Sequence, residues 1–257
     1  MDKIPHIKVE DLTMAYGDKV IQKHLTFTIY KGDIFIIMGG SGCGKSTLLK
    51  HLIGLIRPNK GRILFDNIDF WATSQEKRLE IMKGCGVLYQ SGALWSSMTL
   101  LENVALPLAE FTTLPQRTIK ALCSLKLRLV GLGGYENYYP SQLSGGMRKR
   151  AALARAMAMD PKILFFDEPS AGLDPVSSKH LDDLIVEIRD SLGSTVIIVT
   201  HELASIFSIG TNSVFLDSES KTMLATGHPK RLLKQTNNEK ILSFLTRGTM
   251  RREVAVV

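Results

Sequence analysis

One run of eight residues constrains this chain more than any other feature of its sequence. Residues 39–46 read Gly-Gly-Ser-Gly-Cys-Gly-Lys-Ser and fit the pattern G-x-x-x-x-G-K-[ST] without a mismatch. The continuous apolar run at 34–38 before them predicts a fully buried strand. Residues 46–56 carry leucine and isoleucine at helical spacing, and Pro58 predicts the end of that helix. A strand, a glycine-rich loop and a helix in this order indicate an α/β fold.

The glycines of this segment, the phosphate loop (residues 39–46), predict an anion site built from the backbone. Without a Cβ, consecutive N–H groups converge on phosphate oxygens, and the dipole of the following helix favours an anion. Lys45 is predicted to reach the β- and γ-phosphates of ATP, and the Ser46 hydroxyl to bind Mg²⁺. The alternative is a glycine-rich turn that fits by chance, which the flanking strand and helix disfavour. The predicted ATP-binding residues here are Gly39, Gly40, Ser41, Gly42, Cys43, Gly44, Lys45, Ser46 and Thr47.

Composition is ordinary for a protein with a buried core, with 44% hydrophobic and 22% charged residues. The longest apolar runs, at 34–38, 163–166 and 196–199, are far shorter than the roughly 20 residues of a membrane-spanning helix. The first residues lack the apolar core of a signal peptide, and the three cysteines show no metal-ligand spacing. We therefore expect a cytoplasmic protein with reduced thiols.

The net charge of +7 leaves two interpretations open. A basic protein can bind nucleic acid or an anionic membrane surface, or it can carry lysine and arginine scattered over a solvated surface. We favour the scattered arrangement, because the only tight basic cluster outside the motifs includes Arg247, Arg251 and Arg252. We therefore predict no nucleic-acid partner.

Predicted strands and helices alternate along most of the chain. Residues 4–38 read mainly as strands, since Leu25, Phe27 and Ile29 alternate with polar residues. The alternation predicts a mostly parallel sheet covered on both faces, interrupted by a helix-rich block at about 90–158. Further strands are predicted near 61–70, 84–89, 162–166 and 195–200, and helices at 101–131, 146–159 and 176–191.

A second chemical signal is a pair of acids, Asp167 and Glu168, that follows the apolar residues 163–166. A buried strand would deliver both carboxylates to the edge of the sheet where α/β folds bind ligands. Asp167 is suited to holding Mg²⁺, and Glu168 to polarising an attacking water as a general base. For such a pair alone, the alternative is a strand followed by a solvated turn.

A third signal is the sequence Leu-Ser-Gly-Gly-Met at 143–147, which opens a predicted helix. Ser144 and the glycines expose backbone N–H groups at a helix N-terminus, which makes a second anion site of the same physical kind. The alternative is an N-cap serine with a purely structural role.

The order of these motifs resembles the ABC ATPase family, whose signature Leu-Ser-Gly-Gly-Gln precedes its acidic pair. The resemblance implies an α/β ABC ATPase of the phosphate-loop NTPase class, with a mostly parallel core sheet, an N-terminal antiparallel β subdomain and a helical subdomain at about 91–158. It implies one ABC ATPase domain over 1–230 and a short C-terminal tail over 231–257. The elements that match in order are the phosphate loop, Gln90, the signature, Asp167 with Glu168, and His201.

The resemblance also implies a head-to-tail homodimer, in which the signature of one chain closes over ATP held by the phosphate loop of the other. The signature residues acting in trans would be Ser144, Gly145, Gly146 and Met147. Met147 departs from the family's glutamine, and a thioether cannot supply the donor of an amide. Polar contacts across the dimer are therefore not predicted at that position.

Other roles follow from the resemblance alone. Tyr16 would stack on adenine, with a plain sheet tyrosine as the alternative. Gln90 would sense Mg²⁺ or water and contact a membrane partner, and His201 would hold the γ-phosphate. Asp174 would cross the dimer interface. The implied catalytic residues are thus Glu168, His201, Gln90 and Lys45, and the implied Mg²⁺ ligands are Ser46, Gln90 and Asp167.

Longer segments resemble the ATPases of MCE-linked, Mla-type lipid transporters, in which Met147 is the expected residue. This resemblance implies a homodimer beneath two permease subunits, on the cytoplasmic face of the inner membrane, with an MCE-type lipid-binding protein in the periplasm. The implied cargo is phospholipid or another lipid. The segments are 89–95, 98–104, 143–156, 167–175 and 244–248.

The sequence also bears on three other interpretations. Relatives that import small molecules, such as amino acids, share much of these segments, so an importer ATPase stays open. ABC proteins of chromosomes separate the phosphate loop from the signature by a long coiled coil, and those of ribosomes carry two cassettes, so both are disfavoured. A non-hydrolysing regulatory binder is disfavoured by Glu168 and His201.

Overall fold

The computed structural model describes residues 3–248, so Arg251, Arg252 and the end of the predicted tail lie outside the described residues. The strands are β1 (Pro5–Tyr16), β2 (Lys19–Tyr30), β3 (Ile34–Gly39), β4 (Lys60–Phe65), β5 (Ile68–Asp69), β6 (Cys85–Leu88), β7 (Ile163–Asp167), β8 (Thr195–Val199), β9 (Asn212–Asp217) and β10 (Thr222–Thr226). The helices are α1 (Lys45–Leu52), α2 (Gln75–Lys83), α3 (Leu100–Phe111), α4 (Gln116–Leu129), α5 (Gly145–Ala156), α6 (Pro175–Leu192), α7 (Leu203–Ile209), α8 (Pro229–Gln235) and α9 (Glu239–Leu245).

The chain divides into two compact units. The first unit contains the described residues up to Arg78 together with those from Thr195 onward, and the second unit is Leu79–Ser194. Among residues 3–248, no helix is both long and apolar enough to cross a bilayer.

The first unit contains an antiparallel sheet with the strand order β2-β1-β4-β5. Leu25, Phe27 and Ile29 of β2 are buried and alternate with more exposed residues, as the sequence predicts. The two 12-residue strands β1 and β2 form a long hairpin that pairs Tyr16 with Lys19 at its tip.

The first unit also contains parallel strands, in which β3 lies between β9 and β8. All residues of β3 and of β8 are buried, which matches the continuous apolar runs in the sequence. Ile37 of β3 lies opposite Val199 of β8, so the chain leaves both strands at the same edge. β10 pairs antiparallel with β9.

The second unit pairs β6 with β7 in parallel and contains the helices α3 to α6. Residues 163–166 of β7 are buried, and Leu88 of β6 lies opposite Phe166. α3 contains Pro107, while Pro115 is the N-cap of α4, so the predicted helical block is two helices separated at the second proline.

Several boundaries differ from the sequence predictions. α1 ends at Leu52 instead of residue 56, because the chain turns at Gly54, which has a φ of 73°. The strand predicted at 61–70 is interrupted by Asp66 and Asn67, whose φ values of 46° and 67° form a tight turn between β4 and β5.

Candidate functional site

In the first unit, the phosphate loop connects β3 to α1, as predicted. A Cβ at Gly39 would lie 2.3 Å from the carbonyl oxygen of Leu216, and a Cβ at Gly44 would lie 2.7 Å from Ile21. Gly44 has a φ of 99° and caps α1 without any side-chain hydrogen bond, and the first turn of α1 contains no acid. The N–H groups and the dipole at this helix end are therefore suited to an external anion.

Lys45 is folded over this loop. Its Nζ donates hydrogen bonds of 3.0 Å to the carbonyl oxygens of Gly39 and Gly40. Cys43 is only 1% exposed, and burial raises the pKa of its thiol, an effect that Lys45 partly opposes. Ser41, Gly42 and Ser46 are exposed, whereas Thr47 is half-buried. The loop thus presents backbone, hydroxyl and ammonium groups, while its thiol faces the interior.

Gln22 supports the loop from beneath, a role that sequence analysis missed. This buried residue of β2 donates through Nε2 to the carbonyl oxygens of Cys43 at 2.7 Å and Asp217 at 2.8 Å. Gln22 pairs with Met14 on β1, and Tyr16 lies two residues further along that strand. Tyr16 is 49% exposed, so its ring has a free surface near the tip of the hairpin.

His201 follows β8, the strand beside β3. Because β3 and β8 are parallel neighbours, the phosphate loop and His201 both follow the carboxyl edge of the first unit's sheet. The imidazole is largely exposed, and its Nε2 lies 3.9 Å from Glu202 Oε1.

In the second unit, Gln90 and the acidic pair also follow neighbouring parallel strands. β7 ends at Asp167, and Glu168 has a φ of 46°, a left-handed backbone that is unusual outside glycine. Lys149 of α5 contacts the chain just after each of these two strands. Its Nζ donates to the carbonyl oxygen of Gln90 and, at 3.4 Å, to that of Glu168. Sequence analysis assigned Lys149 no role.

The signature forms the start of α5. Ser144 is its N-cap and accepts a 3.3 Å hydrogen bond from the N–H of Met147, and the first turn has no acid. Within the second unit, the signature, Gln90 and the segment before Asp174 line one cavity of about 330 Å³. Its lining is Gln90, Ser91, Gly145, Arg148, Lys149, Ala171, Gly172 and Leu173.

Asp174 caps α6. Its carboxylate accepts 3.0 Å hydrogen bonds from the N–H groups of Val176 and Ser177 and a 2.6 Å bond from the Ser177 hydroxyl. The hydroxyl and backbone of Ser177 lower the pKa of Asp174. Asp174 therefore has a structural role whatever it contacts in a dimer.

These features define an ATP-binding domain of the ABC type. The ABC transporter family profile matches residues 22–171, and the chain belongs to this family. The predicted family and fold class are confirmed.

Two relatives share 41% identity with the chain over 239 residues, which is 93% of its length. One is the "Intermembrane phospholipid transport system ATP-binding protein MlaF" of Haemophilus influenzae, of which the chain covers 89%. The other is the "Probable ribonucleotide transport ATP-binding protein mkl" of Mycobacterium tuberculosis, of which it covers 66%. A solved dimer of the ATP-binding cassette MJ0796, in a post-hydrolysis state bound to ADP and Pi, has a TM-score of 0.77 and 28% identity, covering 86% of this chain and 98% of that one.

Proposed function

We propose that the chain is the ATP-hydrolysing subunit of an ABC transporter that moves phospholipid between membranes. The observation that carries the ATPase part is the pair of helix N-termini, one in the phosphate loop and one in the signature, each without an acid in its first turn. The cargo is supported by the similarity to MlaF.

Each predicted residue has a chemical task in this proposal. The phosphate-loop N–H groups and Lys45 bind phosphates, Tyr16 stacks on adenine, and His201 holds the γ-phosphate. Glu168 accepts a proton from the attacking water. The hydroxyl of Ser46, the carboxylate of Asp167 and the amide oxygen of Gln90 are the hard oxygen donors that suit Mg²⁺, which would neutralise charge on the phosphates.

The proposed active form is a homodimer in which Ser144, Gly145, Gly146 and Met147 of one chain face ATP on the other. Support comes from the dimeric cassette MJ0796. The dimer would work beneath permease subunits at the cytoplasmic face of the inner membrane, with an MCE-type periplasmic partner.

A mixing experiment tests the composite site. Lys45→Ala weakens the phosphate loop, while Ser144→Asp keeps α5 capped but repels phosphate. We expect each variant alone to be inactive, and their mixture to hydrolyse ATP because the heterodimer contains one intact site. A mixture without activity, despite heterodimers demonstrated by two affinity tags, contradicts the assignment of the signature in trans.

The alternative cargo is a small molecule, which the name of the mycobacterial relative favours. A transport assay distinguishes the two proposed cargoes. The chain is reconstituted in vesicles with its co-expressed permease and periplasmic partner, and Glu168→Gln is the non-hydrolysing control. ATP-dependent movement of labelled phospholipid supports the proposal. Uptake of a labelled ribonucleotide without lipid movement supports the alternative.

A further inference from the structure

We infer that Lys149 is a positioning residue for ATP hydrolysis, whose ammonium group holds the backbone at Gln90 and at Glu168 in a fixed relation. The inference rests on the proposed function, because it concerns the reaction in which Glu168 is proposed to act as the base. Lys149 lies in the second turn of α5, the helix that begins with the signature.

Lys149 donates hydrogen bonds to the backbone at two places. Its Nζ donates to the carbonyl oxygen of Gln90 and lies 3.4 Å from that of Glu168, which also accepts a 3.2 Å bond from the N–H of Ala171. An ammonium has three donors, so one group can serve both carbonyls. The parallel pairing of β6 with β7 brings these two chain segments to the same edge, and Lys149 connects them there.

Burial and charge make this contact difficult to replace. Lys149 is 8% exposed, and a buried cation is unfavourable unless hydrogen bonds and opposite charges compensate it. Burial lowers the pKa of Lys149, whereas Asp167 and Glu168 raise it. The lysine is thus the buried cation beside two adjacent carboxylates, and its charge also reduces their mutual repulsion.

The backbone at Glu168 needs such support. Its φ of 46° lies in the left-handed region, which residues with a Cβ occupy only when the surroundings hold them there. The direction of the carboxylate depends on this backbone. Anchoring its carbonyl therefore fixes the backbone position from which the proposed base extends.

α5 holds the segment after Gln90 at a second place. Arg155 donates to the carbonyl oxygens of Ala93 at 2.7 Å and Gly92 at 3.0 Å. Lys149 connects the signature helix to the backbone of the proposed base, Glu168. Within the described residues, a shift of α5 would therefore reach Gln90 and Glu168 through Lys149.

The test compares Lys149→Met, Lys149→Gln and Lys149→Arg in the full chain. We expect Lys149→Met and Lys149→Gln to lower kcat on the order of 10- to 100-fold, because a misplaced base costs rate rather than binding. KM for ATP should stay within about twofold, because the phosphate loop is untouched. Lys149→Arg retains a cation of similar length and should recover a large part of kcat.

Lys126→Met is the matched control, since Lys126 is also a buried lysine of the second unit, 4% exposed, and its partner is Asp160. It should keep kcat even if thermal denaturation shows a lower Tm. Folded Lys149→Met or Lys149→Gln with wild-type kcat overturns the inference. The inference is also overturned if Lys126→Met loses as much kcat as Lys149→Met at an equal loss of Tm. The same holds if the kcat of Lys149→Arg is no higher than that of Lys149→Gln. If the wild-type chain itself does not hydrolyse ATP, the proposed function fails instead.

Discussion

The two units each present a helix N-terminus suited to an anion, but they complete it differently. α1 of the first unit begins at Lys45, and its N-cap Gly44 provides no side-chain hydrogen bond to the helix end. α5 of the second unit is capped by Ser144, whose oxygen accepts from Met147. The first end is thus suited to an anionic ligand, whereas the second is a helix end that its own serine already caps. We infer from this difference that the first unit holds the phosphates through its loop, and that the second supplies the proposed base and the signature.

The strongest test of this division of roles is Glu168→Gln in the second unit. The amide cannot accept the proton from water, so kcat should fall on the order of 100-fold or more. ATP binding should stay near normal, because the phosphate loop belongs to the other unit. ATP titration and phosphate release measure the two effects separately. Unchanged turnover contradicts the assignment of the base.

Gly39→Ala tests whether the phosphate loop of the first unit has room for a side chain at Gly39. The added Cβ would lie 2.3 Å from the Leu216 carbonyl oxygen and 2.8 Å from Cys43 Sγ, at a φ of 147°. We expect a loss of about 2–4 kcal/mol in the free energy of unfolding, measured in urea. Gly40→Ala is the matched control, because nothing lies within 4 Å of its added Cβ. Equal stability of the two variants contradicts the described crowding.

Lys45→Ala tests the only ammonium group that the phosphate loop itself supplies. Loss of a charge-assisted contact to phosphate should raise the Kd for ATP about 10- to 100-fold. Because Lys45 bonds to the carbonyl oxygens of Gly39 and Gly40 within its own loop, its removal should change Tm little. Isothermal titration and thermal denaturation check both points. Normal ATP affinity in this variant is the result that would count against the phosphate loop.

The smallest effect is a pH dependence of stability at the strand beneath the loop. Burial alone would raise the pKa of Asp217, but hydrogen bonds from Ser220 and the contact with Lys240 lower it from 3.8 to about 2. Ionised Asp217 therefore adds to the free energy of unfolding. This contribution is fully present above the pKa that Asp217 has in the unfolded chain, and it is lost as the pH falls through about 2. The difference in unfolding free energy between wild type and Asp217→Asn should therefore shrink between pH 5 and pH 2. A difference that grows toward low pH contradicts the assignment.

The sequence predicted the phosphate loop, the buried strands and the acidic pair well, because each is a short contiguous pattern with its own physical meaning. It also placed Ser144 at a helix start, and the structure makes it the N-cap. Helix ends were less predictable. α1 is shorter than its apolar spacing suggests, since Gly54 ends it before Pro58.

α2 was not predicted from the sequence, because none of its residues is buried and no apolar stripe marks it. The strands β9 and β10 and the helices α7 to α9 were likewise not assigned. The roles of Lys45, Glu168 and Ser144 are predictions that the variants above test.

The order of motifs by itself determined the family, the ATP-binding loop and the positions of the proposed base and signature. These follow from residues that are neighbours in sequence, where spacing alone constrains the backbone. Only the tertiary structure revealed Gln22 beneath the phosphate loop and Lys149 between Gln90 and Glu168. Gln22 reaches Asp217, and Lys149 reaches Gln90, through hydrogen bonds between distant parts of the chain. Such partners become neighbours only when strands pair and helices pack, so no local pattern in the sequence records them.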